Sequence, residues 1–275
     1  MMKTSAAARQ SEGGAPFPVP DAGRRQKGCA MANRAGRALR IGHLYPSGGI
    51  SDHELQRMAP EGVHFLTTRL PFRRTGLADD LRLFDGLEPQ ARLLADAQVD
   101  LIAVNCTAAT MLAGADSVNR RVKAATGIES TTTIEAVLAA LQACSMRRIA
   151  LLTPYVDEVV QAEIVFLAQH GVMVAAHDGL PCRSPVEQGE ISPGYWLALG
   201  SRLAQTDCDG LLISCAGIQV ASVLARLERH WQRPVVSSNQ ALVWQCLRKL
   251  GVVRRPAGYG GLLAPGGCGA GAAAQ

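Results

Sequence analysis

Two cysteines follow the same local pattern. "DLIAVNCTAAT" (Asp100 to Thr110) carries an acid, four apolar residues, Asn105 and then Cys106. "DGLLISCAGI" (Asp209 to Ile218) carries an acid, a short apolar run, Ser214 and then Cys215. Such runs read as buried strands whose ends carry the thiols. If each strand feeds a helix, each thiol sees the positive end of a helix dipole, which is expected to lower its pKa toward neutrality.

One thiol of such a pair can take a proton from carbon while the other returns one on the opposite face, inverting a stereocentre. Alternatively, one thiolate can add to a carbon–carbon double bond, allow rotation and leave again, giving the geometric isomer. Both routes place negative charge on a substrate carboxylate and need donors at its oxygens. The N–H groups of Thr107, Ala108, Ala216 and Gly217, with the Thr107 hydroxyl, are the expected donors. The "PSGG" turn with Ser47 and Gly48 lacks the pattern of a phosphate loop and reads as a further wall of the same cleft.

Cys106 and Cys215 belong to an internal repeat. "RIGHLYP" (40–46) matches "RIALLTP" (148–154) at an offset of 108, "LIAVNC" matches "GLLISC" at 109, and "TTTIEAVLAAL" (131–141) resembles "SSNQALVWQCL" (237–247) at 106. Three ordered matches at nearly one offset imply two similar α/β halves, 39–146 and 147–250. Short apolar runs at 39–46, 63–69, 100–105, 128–132, 147–154, 171–177, 210–214 and 233–238 are the expected strands. Amphipathic stretches at 88–98, 117–126, 133–144, 156–170, 195–206, 219–231 and 240–250 are the expected helices. The fold class is therefore α/β, each half a mostly parallel sheet covered by helices, with the site in the cleft between halves.

Residues 1–38, rich in Ala, Gly, Pro, Ser and Arg without a period, read as a disordered extension, and Met31 is an alternative start. Residues 251–275 form a C-terminal segment whose low-complexity end, from Leu262, is expected to be mobile. The stretch 181–196 has no clear placement. The 275 residues carry 28 Lys plus Arg against 23 Asp plus Glu, yet only 4% are aromatic and no basic cluster suggests nucleic acid.

No run long enough to span a membrane is present, and no signal-peptide pattern begins the chain. The eight cysteines have no metal-ligand spacing, so no metal or other cofactor is expected. They are read as free thiols of a cytoplasmic protein, with Cys29, Cys144, Cys182, Cys208, Cys246 and Cys268 structural or incidental. His43 lies in an apolar strand, His53 reads as an exposed loop histidine, and Asp157 and Glu158 suit the start of a helix.

"IGHLYPSGG", "NCTA", "RRIALLTPYVDEV", "LLISCAGI", "RPVVSS" and "RPAGYGGLL" together resemble the aspartate/glutamate racemase superfamily. The similarity is to the branch of maleate cis–trans isomerases and arylmalonate decarboxylases, over most of 39–261. The resemblance implies that Tyr155 donates to a substrate carboxylate, that Thr107 helps form its pocket, and that Cys215 with the N–H of Ala216 completes it. It also suggests a homodimer as the assembled form.

The chain departs from the family at several points. Arylmalonate decarboxylases carry glycine where this chain has Cys106, and serine where it has Ala108. Maleate isomerases place an asparagine in the first loop, where this chain has Gly48, Gly49 and Ile50. Amino-acid racemases add an acid there and a histidine near the second cysteine, and neither is present. The expectation is a cofactor-independent isomerase or racemase acting on a small carboxylic or dicarboxylic acid through Cys106 and Cys215. Its alternatives are an arylmalonate-type decarboxylase with Cys215 as proton donor, and a non-catalytic carboxylate-binding protein.

Overall fold

A computed structural model describes residues 37–268. Cys29, Met31 and nearly all of the expected N-terminal extension lie outside the described residues, as does the end of the tail.

The first half contributes strands β1 (Leu39–Pro46), β2 (Val63–Leu70), β3 (Leu101–Val104) and β4 (Ser130–Thr132). The second contributes β5 (Arg148–Thr153), β6 (Met173–Gly179), β7 (Gly210–Ile213) and β8 (Val235–Ser237). Helices α1 (His53–Arg57), α2 (Leu77–Arg82), α3 (Leu87–Asp96), α4 (Thr107–Ala113), α5 (Ala115–Thr126) and α6 (Thr133–Ala143) belong to the first half. To the second belong α7 (Asp157–Gln169), α8 (Pro185–Glu190), α9 (Pro193–Arg202), α10 (Leu224–Trp231) and α11 (Ser238–Lys249).

The sheets have the same order, β2-β1-β3-β4 and β6-β5-β7-β8, and every pairing is parallel. In each, the chain first moves outward from the central strand and then returns to its other side. That reversal opens a crevice at the carboxyl ends of β1 and β3, and of β5 and β7. The inner strands β3 and β7 are buried throughout, as four-residue apolar runs covered on both faces should be.

Alternate residues of β3 serve different layers. Leu101 and Ala103 enter a core shared with the second half, while Ile102 and Val104 enter a smaller core beneath α3 and α5.

The repeat extends to polar fastenings. Asp100 accepts from the Arg40 N–H at 2.9 Å, and Asp209 accepts from the Arg147 and Arg148 N–H groups at 2.8 Å. These pairs pin the start of β1 to that of β3, and of β5 to that of β7. Helices α6 and α11 both begin with a capping box, Thr132 with Glu135 and Ser237 with Gln240.

Three expectations change. Cys144 and Cys268 form a disulfide, so these two are not free thiols. Leu262 and Leu263 are buried against the core, so the chain end is anchored at least to this point and Cys268 is carried back to the end of α6. The stretch 219–231 is not one helix: a 3-10 turn at Ala221–Val223 precedes α10. Among the described residues, no helix is long and apolar enough to cross a membrane.

Candidate active site

The crevices of both sheets meet in one cleft, about 440 Å³ counted out to where it opens to solvent. Cys106, Thr107, Ala108, Tyr155, Cys215, Ala216 and Gly217 all line it, as the sequence suggests. Ser47 and Gly48 do not. Their N–H groups are bonded to the Leu70 and Phe72 carbonyls, at 2.7 and 3.0 Å. They form the turn that presents Gly49 and Tyr45 to the cleft instead.

Cys106 lies two residues beyond the end of β3 and is the N-cap of α4. Its side chain accepts no capping hydrogen bond, and the N–H groups of Ala108 and Ala109 are the nearby donors that act to lower its pKa. Cys215 follows β7 but precedes a turn rather than a helix, and its Sγ accepts from the Gly217 N–H at 3.1 Å. The Tyr155 hydroxyl is a further nearby donor that acts to lower the pKa of this thiol.

These donors favour thiolate, yet burial outweighs them. Cys215 is pushed up to about 12, first by desolvation, and Cys106 rises well above its ordinary value by desolvation and then by the Asp80 carboxylate. The expected lowering of the thiol pKa is not found: burial moves both cysteines up, toward the protonated form. The helix dipole could have helped only Cys106, and a seven-residue helix cannot offset nearly complete burial.

The lining residues that escape sequence reasoning include Tyr45, Asp80 and Gln188. Asp80 on α2 lies with Oδ1 4.0 Å from Cys106 Sγ. Gln188 on α8 lies with Oε1 3.5 Å from Cys215 Sγ. Both belong to short polar helices with no apolar stripe. The repeat offset was the available signal, since 108 residues separate Asp80 from Gln188, as they separate the starts of β1 and β5 near enough. Gln188 also gives the stretch 181–196 its place, with α8 at the cleft and α9 behind it.

Beneath the lining a polar chain links the halves, buried at His43, Asn105 and Asn239. Thr67 bonds His43 at 3.0 Å, His43 bonds Asn105 at 3.1 Å, Asn105 donates to Asn239 at 3.0 Å, and Asn239 donates to the Ala216 carbonyl at 3.1 Å. Burial, with Arg69 nearby, lowers His43 to about 3, so it acts as a neutral hydrogen-bonding group. The Thr107 hydroxyl donates to Ser238 at 2.9 Å, beside this chain. His53 is exposed at the start of α1, outside the lining.

Residues 44–263 match the family profile described as arylmalonate decarboxylase. The chain belongs to the arylmalonate decarboxylase family. Within it, the chain is 34% identical over 142 residues to the arylmalonate decarboxylase of Bordetella bronchiseptica, a match spanning 50% of this chain and 59% of that relative. It is 27% identical over 181 residues to a maleate isomerase of Nocardia farcinica, covering 62% of this chain and 71% of that one. A structure of Nocardia farcinica maleate cis–trans isomerase, a cysteine-to-serine mutant with a covalently bound succinylcysteine intermediate, superposes with a TM-score of 0.74 at 22% identity. It covers 82% of this chain and 98% of that one. The two-sheet fold of this arylmalonate decarboxylase family member is thus shared with maleate isomerases.

Proposed function

We propose that the protein is a cofactor-independent isomerase or racemase of a small carboxylic or dicarboxylic acid, with Cys106 and Cys215 as its reacting groups. The observation that carries this reading is that both thiols line one cleft, each after the equivalent inner strand of its half.

In the proton route, one sulfur takes the proton from carbon and the other thiol delivers its own to the opposite face. In the covalent route, one sulfur bonds to an alkene carbon, the single bond rotates, and the carbon–sulfur bond breaks with the alkene restored. The succinylcysteine of the Nocardia farcinica neighbour supports the covalent route. Either route requires one thiol to lose its proton when substrate fills the cleft. Tyr155, Tyr45 and the N–H groups of Ala216 and Gly217 are proposed to hold the carboxylate, with Thr107 and the Ala108 N–H meeting the other end of the substrate. Ser47 and Gly48 act only by shaping the turn that presents Gly49. The assembled form is proposed to be a homodimer and the compartment the cytoplasm.

The family profile and the high pKa of Cys215 favour a second reading. A thiol held at about 12 is a proton donor, which suits decarboxylation followed by protonation of the carbanion by Cys215.

NMR in deuterium oxide with maleate, chiral 2-aryl propionates and arylmalonates separates the two. Isomerisation or carbon-bound deuterium without loss of carbon is the expected result. Release of carbon dioxide with stereospecific deuteration assigns the decarboxylase instead. No turnover, with ligand-induced thermal stabilisation alone, leaves only a binding protein.

A further inference from the structure

The two thiols of the cleft face unlike oxygens at equivalent positions. Asp80 and Gln188 stand at the same place on α2 and α8, both almost fully buried, at 3% and 4% exposure, and both at the cleft wall. Gln188 offers its cysteine an amide, which both accepts and donates, whereas an ionised Asp80 only accepts. The lining contains no Lys, Arg or His. A carboxylate at the Gln188 end finds an amide; at the Asp80 end it meets a like charge where little water screens it.

We propose that this pair orients the substrate: one carboxylate lies on the Cys215 and Gln188 side, and an N–H or O–H donor lies on the Cys106 and Asp80 side. The preferred substrate class is then a monocarboxylate with a distal amide, hydroxyl or ammonium, ahead of a diacid. This rests on the carboxylate-binding reading of the cleft and names its substrate class.

The groups facing Asp80 are Cys106, Asp79 on its own helix, Glu158 on α7, Tyr155 and Cys215, none of them cationic. Burial first, and then Asp79 and Glu158, raise Asp80 to about 7, against the pull of the Gly76 N–H. Above that pH the ionised carboxylate rejects a second one. Below it, protonated Asp80 can donate to one, so the preference shrinks as pH falls.

The test is calorimetric binding of fumarate and of its monoamide to the full chain, wild type and Asp80→Asn, at pH 8 and pH 6, where fumarate stays doubly ionised. Phenylsuccinate and its monoamide, at pH 8, serve as a bulkier pair. The expected result is at least about tenfold tighter binding of the monoamide to wild type at pH 8. That ratio should fall at pH 6, and in Asp80→Asn it should be near one and independent of pH.

Equal or tighter binding of the diacid by wild type at pH 8 overturns the inference while leaving the carboxylate cleft intact. A ratio unchanged by Asp80→Asn does the same. Should the variant not fold, as judged by circular dichroism, a wild-type ratio that does not move between pH 8 and pH 6 overturns it. Binding of neither member of either pair by folded wild type overturns the carboxylate-cleft reading and this inference together.

Discussion

In the first half the inner strand β3 runs from Asn105 and Cys106 straight into α4, whereas in the second the equivalent β7 runs into a turn and only later into α10. The sheets behind these segments share strand order, direction and even the aspartate that ties inner strands together. The duplicated framework thus places both sulfurs, and divergence is concentrated in what surrounds them. Cys106 has an anionic neighbour and a helix, and Cys215 has an amide, a tyrosine and a turn. Beneath them the difference continues: Asn105 joins a neutral histidine, while Ser214 donates to the buried carboxyl of Glu163.

The comparison breaks most sharply if the halves do not share the chemistry. Cys106→Ala and Cys215→Ala are each expected to lower turnover by about 10²–10⁴-fold in the deuterium NMR assay. A loss confined to Cys215→Ala makes the first half a mere wall and selects the decarboxylase.

Next in size is Glu54, a buried residue of α1 that accepts from the N–H groups of Val220 and Ala221 in the other half, at 2.9 and 2.7 Å. Glu54→Ala leaves both donors unpaired and is expected to cost about 3 kcal/mol in urea unfolding. A cost below about 1 kcal/mol would mean that Glu54 is not a main fastening between the halves.

Glu163 is raised from 4.5 to about 7 by burial, against the Ser214 hydroxyl. The folded state therefore holds this proton more tightly than the unfolded one. Its contribution is fully present below 4.5 and is lost as pH rises through 7. Glu163→Gln is expected to be close to neutral at pH 4.5 and stabilising by on the order of 2–3 kcal/mol at pH 8. Urea melts at the two pH values check the sign, and an equal effect at both refutes it.

Asp80→Asn removes the charge that opposes a Cys106 thiolate. Iodoacetamide labelling of Cys106, followed by mass spectrometry at pH 8, is expected to quicken about tenfold, or one pKa unit. Cys215 should change less in that variant, and Gln188→Glu should slow Cys215. Slower labelling of Cys106 would instead make Asp80 its proton acceptor. The smallest effects concern the shared framework: Thr132→Ala and Ser237→Ala each remove a capping box and are expected to cost about 1 kcal/mol by thermal melting, nearly equally. Markedly unequal costs would mean that the two helix starts are not equivalent.

The framework was legible because the strands repeat almost the same letters at one offset, and because inner parallel strands must be continuously apolar. Cys106 and Cys215 followed from strand ends together with the repeat. Asp80 and Gln188 did not, since they differ in charge and sit on six-residue helices without periodicity. Their neighbours Asp79 and Glu187 are both acidic, which the offset of 108 would have paired. Thiol pKa could not be read either, because a helix start is visible in a sequence and the depth of a cleft is not. The Cys144–Cys268 pair was hidden for a similar reason: only the burial of Leu262 and Leu263 returns the chain end to α6.

Contacts that cross between halves fasten the cleft at more than one place. Glu54 grips the turn before α10, Ser51 donates to Gly217 at 2.8 Å, Asn105 to Asn239 and Thr107 to Ser238. On the side of Thr75 the two halves meet through Thr75 bonds to the Arg183 and Cys182 carbonyls, at 3.1 and 2.7 Å. A molecule fastened this way does not open like a jaw about its midline. The loops that carry α2 and α8 are thus tied directly to each other, so a shift of either one moves both residues that face the thiols.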